Sequence, residues 1–118
     1  MLKRIKFVTV PVKDQDRALR FYTEKLGLRI FTDQTMGAMR WIELQVPGSE
    51  TMIVLSEQPG HAPGPMPALV FVADNVAGTY EALKAKGVDF AQPPKKERWG
   101  ESAMFHDSEG NLILFGAS

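Results

Sequence analysis

The chain has 118 residues, with 14 basic and 14 acidic side chains, no net charge and no cysteine. That length suits one compact domain, and a chain of this size buries roughly 65% of its unfolded surface. Balanced charge removes the electrostatic case for nucleic acid or an anionic membrane surface as a partner. No apolar run reaches the ~18 residues that cross a bilayer. Residues 1–4 carry basic side chains, but no long apolar stretch follows, so a secretory signal is not expected. Without cysteine there is no disulfide, no thiolate nucleophile and no thiolate metal site, and a cytoplasmic setting is the default.

Residues 6–12 read KFVTVPV, in which Val8, Val10 and Val12 alternate with Phe7, Thr9 and Pro11. Period-two alternation predicts a strand. Asp14 stands where a helix N-cap belongs, Ala18, Leu19, Tyr22 and Leu26 recur at helical spacing, and Gly27 supplies a stop. Short strands are expected over 28–32, 39–46 and 51–56, the last two joined by the turn Pro47-Gly48-Ser49. Residues 57–66, EQPGHAPGPM, are rich in proline and glycine and read as a linker. A strand over 67–72 follows, then Asp74 as N-cap, and a helix carrying Val76, Tyr80 and Leu83 that Gly87 ends. A short strand is expected over 88–92 and a charged loop over 93–100. Two more strands over 101–106 and 112–116 flank the turn at Asp107-Ser108-Glu109-Gly110.

The second half thus repeats the first. Val12, Asp14 and Gly27 map onto Val72, Asp74 and Gly87 at an offset of 60, and Met52-Ile53-Val54-Leu55 maps onto Leu112-Ile113-Leu114-Phe115. Internal repetition outweighs any single propensity in assigning a fold. It divides the single domain into module one (1–56), a linker (57–66) and module two (67–118). Each strand–helix–strand–strand–strand module leaves one sheet face without a helix. Two such faces can bury each other within a chain or across a dimer.

The motifs FYTEKLG (21–27) and DSEGN (107–111), with this order of elements, resemble the vicinal-oxygen-chelate superfamily of glyoxalases, bleomycin resistance proteins and extradiol dioxygenases. The resemblance covers essentially the whole chain. It implies an α+β fold in which two tandem βαβββ modules form a curved mixed sheet around an open trough. In metal-dependent members, four trough positions supply His, Gln or Glu ligands to a divalent ion. The matching positions here are Phe7, Val54, Pro67 (or Ala68 if a bulge shifts the register) and Leu114. None of these side chains binds a metal, and the neighbours Val8, Ile53, Leu55, Ile113 and Phe115 are equally inert. No metal and no other cofactor is therefore expected.

Alternation also sorts the faces. Val8, Val10, Val12, Ile42, Leu44, Ile53 and Leu55 are expected to point at the first helix. Phe7, Thr9, Trp41, Glu43, Met52, Val54 and Ser56 then form the open face. The same parity assigns Leu69, Phe71, Ala103, Phe105, Leu112 and Leu114 to the open face of module two. An apolar, aromatic-rich concavity of this kind suits a small molecule, but also suits plain packing or a dimer interface. Glu43, the one acidic residue in mid-strand there, is the best catalytic candidate. It reads as an acid–base group or ligand anchor on one side, and on the other as the salt-bridge partner of a basic residue such as Arg40 or Arg98, or as a side chain simply exposed at the sheet edge. Trp99, on the charged loop, either closes over a ligand or anchors its own loop. His61 is expected to be solvent-exposed and His106 to face the helix side. The functional expectation is a metal-free homodimer that binds a hydrophobic or aromatic small molecule. Its contacts would be Phe7, Thr9, Trp41, Glu43, Met52, Val54, Leu69, Phe71, Trp99, Phe105 and Leu114. The alternative is a glyoxalase-like lyase, isomerase or dioxygenase with unusual metal ligands or with Glu43 as acid/base.

Overall fold

A computed structural model describes all 118 residues. The chain divides into two compact units, Met1–His61 and Ala62–Ser118. The division falls inside the proline- and glycine-rich stretch.

In the first unit β1 (Phe7–Val12) leads into α1 (Gln15–Arg20), which continues as a π-helical turn, Phe21–Lys25. β2 (Arg29–Met36), β3 (Met39–Gln45) and β4 (Met52–Glu57) follow. The sheet order is β1-β4-β3-β2, with β1 parallel to β4 and the other pairs antiparallel. A parallel pair needs a crossover, and here the helix, β2 and β3 supply it. The Asp14 carboxylate accepts from the Arg17 amide at 3.0 Å and caps the helix as expected. Val10, Val12, Ile42, Leu44 and Leu55 pack with Ala18 and Tyr22, all at 0% exposure. Each large member of that set contributes roughly 1.5–3 kcal/mol by leaving water.

The second unit repeats the plan with β5 (Leu69–Val72), α2 (Val76–Ala85), β6 (Asp89–Glu97), β7 (Gly100–His106) and β8 (Leu112–Gly116), in the order β5-β8-β7-β6. The DSEGN turn before β8 is held by Asp107, whose carboxylate accepts from the Glu109 and Asn111 amides at 2.8 and 2.9 Å and from Asn111 Nδ2 at 3.0 Å. Gly27 and Gly87 both take positive φ, 77° and 84°, where a side chain would be strained.

The charged stretch expected as a loop is instead the second half of β6. Lys95, Lys96 and Glu97 pair with Ser102, Glu101 and Gly100. Pro93 and Pro94 fall in a register shift between Gln92 and Lys95. β6 is the edge strand of its sheet, and an edge strand tolerates residues without an amide hydrogen.

The uniform offset of 60 also needs correction. The second N-cap is Asn75, not Asp74, and its side chain accepts from the Gly78 amide at 2.8 Å. Ile53 and Ile113 match at 60, yet their β1 and β5 partners, Val8 and Leu69, differ by 61. The extra residue lies in the first helix, which has thirteen steps from cap to glycine against twelve in the second. The closing bonds show it directly. Gly27 N donates to Thr23 O and Leu28 N to Tyr22 O, whereas Gly87 N donates to Lys84 O and Val88 N to Leu83 O. Each bond at the first helix spans one residue more than its counterpart. The π-helical turn absorbs that insertion.

Candidate functional site

A one-residue slip exchanges the two faces of a strand, and two slips correct the expected open face of the second sheet. The helix insertion shifts β5, and β7 is shifted separately, because Glu43 and Met104, which pair with Val54 and Leu114, differ by 61. Leu69, Phe71, Ala103 and Phe105 share a face with Ile113 and Phe115. That face packs on α2 through Phe90, whose ring meets Tyr80 at 4.6 Å, Phe105 at 5.8 Å and Phe115 at 6.2 Å. The opposite face carries Val70, Val72, Met104, Leu112, Leu114 and His106. His106 therefore lies away from the helix, not toward it, with Nδ1 3.2 Å from the Asp89 carboxylate. His61 is half-buried rather than exposed. Trp99 sits in the turn between β6 and β7, 63% exposed, and its ring comes within 3.6 Å of where a side chain on Gly116 would begin. A side chain at 116 would be in ordinary contact with that ring; the tighter approach is to the Glu101 carbonyl, at 3.2 Å.

The open face of the first sheet is as expected. Phe7, Thr9, Glu43, Met52 and Val54 are in register across β1, β4 and β3. Val54 is 2% exposed, Phe7, Trp41, Glu43, Met52 and Ser56 are half-buried, and Thr9 is exposed. The Phe7 and Trp41 rings meet edge to face, with centroids 5.5 Å apart and an interplanar angle of 83°, a favoured aromatic geometry. The Trp41 indole Nε1–H donates to Glu43 Oε1 at 2.8 Å. Two independent contacts thus hold the indole. The partner of Glu43 is this indole, not Arg40.

Arg40 is otherwise engaged. Its guanidinium donates from Nε and Nη2 to both Asp33 oxygens at 2.9 Å, and from Nη1 to Asp16 at 2.6 Å. The hydrogen bonds from Arg40 hold the Asp33 carboxyl below the usual carboxylate range, and bonds to Asp33 and then Asp16 raise Arg40 further. Beside this network β3 and β4 part. Their ladder runs from Gln45↔Met52 to Glu43↔Val54 and stops. Beyond it the buried Gln15 side chain donates from Nε2 to Arg40 O and Leu55 O, both at 2.9 Å. A side-chain amide takes carbonyls that a continued ladder would have used. A cavity of 210 Å³ opens at this fork, lined by Gln15, Ala38, Met39, Arg40, Trp41, Val54, Leu55, Ser56 and Glu57. Sequence reading missed Gln15, because the residue after an N-cap normally faces solvent. The fork leaves no trace in strand periodicity.

Of the four positions where the resemblance implies metal ligands, Phe7, Val54 and Leu114 lie on helix-free faces. The slip makes the third Ala68 rather than Pro67; the Ala68 amide donates to Leu112 O as the first bond of that ladder. Phenyl, isopropyl, methyl and isobutyl groups hold no donor atom, so these residues do not fit a metal. Nowhere do three or more His, Asp or Glu side chains gather in a way that could bind one.

A family model described as the Glyoxalase/Bleomycin resistance protein/Dioxygenase superfamily matches residues 4–115. YetH of Bacillus subtilis (strain 168), described as uncharacterized, is 37% identical over 97% of this chain and 98% of its own. The crystal structure of UcmS2 superposes with a TM-score of 0.89 at 34% identity over the whole of both chains. TnmS3, an antibiotic binding protein from Streptomyces sp. CB03234, superposes with a TM-score of 0.88 at 32% identity, over 98% of this chain and 96% of its own. The two βαβββ modules, each with a four-stranded mixed sheet, are the fold of these proteins. The chain belongs to the glyoxalase/bleomycin resistance protein/dioxygenase superfamily.

Proposed function

We propose that this protein binds a hydrophobic or aromatic small molecule on the open face of its first sheet, without a metal. The observation that carries the reading is the Trp41–Glu43 pair. A carboxylate among apolar side chains is costly unless it is hydrogen-bonded. Here one oxygen takes the indole N–H of Trp41, and no cation pairs with the other. That oxygen is available to an N–H or O–H on a ligand whose flat body lies against Trp41, Phe7 and Met52. The lack of donor atoms at Phe7, Val54, Ala68 and Leu114 supports binding without metal. The antibiotic-binding role of TnmS3 supports a small molecule as the occupant.

Native mass spectrometry of freshly purified protein, with and without a library of aromatic compounds, tests this. One compound per chain and no divalent ion is the expected result. Glu43→Gln is expected to weaken a ligand bearing a donor about tenfold, the worth of one hydrogen bond to a charged group. It should leave that ligand's O-methylated or N-methylated analogue unchanged. A near-stoichiometric divalent ion after growth in metal-supplemented medium would refute the metal-free reading and favour a glyoxalase-like enzyme.

The reading includes a cytoplasmic homodimer. Val70 and Val72, each 68% exposed on the helix-free face of the second sheet, support association, because exposed apolar patches mark interfaces. A monomer by light scattering at micromolar concentration would rule the dimer out.

A further inference from the structure

We infer that the fork between β3 and β4 is a subsite that takes one neutral or cationic aromatic ring and excludes anionic ones. The inference rests on the ligand-binding reading above and places a part of the ligand. Three observations carry it.

The first is the way the fork is kept open. Gln15 is 8% exposed and donates to carbonyls on both diverging strands. The Arg40–Asp33–Asp16 network ties β3 to β2 and to the start of α1 at the same place. Closing the gap would require breaking the Gln15 bonds, so the cavity is built into the sheet.

The second is size and lining. An apolar cavity of about 150 Å³ admits benzene. The fork measures 210 Å³, which leaves room for a ring with a short substituent. Trp41 forms one wall and Met39 another, and a thioether and an indole are both favourable neighbours for an aromatic face. Trp41, Val54 and Ser56 belong to the open sheet face, whereas Arg40 and Leu55 belong to the helix face. The cavity therefore continues from the surface that carries Glu43.

The third is charge. The guanidinium of Arg40 is the cation at the cavity, and it already serves two carboxylates. With Glu57 in the lining, Asp16, Asp33 and Glu57 outnumber it. An anion entering here would meet like charge with no free cation to receive it.

Benzylamine, benzyl alcohol and benzoate form a series of one shape and three charges. Titrated into the full chain, they are read by the Met39 and Met52 methyl signals and the two indole N–H signals. The amine and the alcohol are expected to shift Met39 and Trp41 saturably, with dissociation constants on the order of 1 mM for ligands this small. Benzoate should be at least tenfold weaker, and Trp99 should not move. Ser56→Phe fills the fork from the sheet face, and Ala38→Phe plugs it from an exposed turn that tolerates change. Each should weaken the amine and the alcohol at least tenfold, while Ser56→Ala should not. Shifts at Met52 with none at Met39 would overturn the fork and leave the broader reading standing. Equal binding of all three probes would overturn the charge selection. No shift with any probe would overturn the subsite, while the compound library judges the function independently.

Discussion

Removing one residue from each helix should have opposite consequences in the two halves of the chain. Glu24 is exposed in the π-helical turn, and Glu81 is exposed in the middle of α2. Deleting Glu24 shortens the first helix to the length of the second. Its closing bonds then become those already seen from Gly87 and Val88, and Gly27 and Leu28 keep their places. The expected cost is about 1 kcal/mol or less, near 4 °C in Tm for a domain of this size. Deleting Glu81 has no spare residue to remove. Everything beyond it rotates by about 100° on the helix. Leu83 then leaves the core face, where it is 8% exposed. Losing a buried leucine costs roughly 2–4 kcal/mol, or about 8–16 °C. Thermal and urea unfolding of the two deletions, measured side by side, give the comparison. Equal losses would show that the π-helical turn is not an absorbed insertion, and the explanation of the register slip would fall.

Replacing Asp107 by Ala strands the Glu109 and Asn111 amides in a turn where both side chains are buried; urea unfolding should show a loss of about 3 kcal/mol, and a loss under about 1 kcal/mol would contradict that accounting. Asp33 is held below its ordinary range by Arg40, so its ionised form stabilises the fold above the unfolded value of about 3.9. That contribution fades as pH falls through the lower folded value. Asp33→Asn should therefore be less stable than the parent at neutral pH, with the gap closing only below about pH 4; a gap independent of pH would count against the ion pair. Gln15→Leu leaves the Arg40 and Leu55 carbonyls without their donor and should cost about 2 kcal/mol in urea unfolding; an unchanged midpoint would show that the amide does not hold the fork.

Much of the architecture was legible in the residues. Alternation in KFVTVPV, the cap at Asp14, the glycines at 27 and 87 and the DSEGN turn are local signals, and each follows from backbone sterics or a nearby hydrogen bond. The first sheet's open face followed from the same alternation, which is why Trp41 and Glu43 emerge together on the surface expected of them. Strand periodicity also settles what the metal-ligand positions lack, since apolar residues stand there in either register at β1, β4 and β8.

Tertiary structure decided the rest. A helix can carry one extra residue as a π-helical turn without changing its hydrophobic spacing enough to be noticed. A strand cannot, because its side chains alternate at every residue. The single inserted residue in the first helix therefore left the repeat visible but reversed the expected face of β5 and moved the N-cap to Asn75. Edge position made a strand of a proline-containing charged stretch. The parting of β3 from β4 depends on Gln15 reaching two carbonyls, 25 and 40 residues away in the chain. No local pattern records such a contact, and it is there that the cavity beside Trp41 forms.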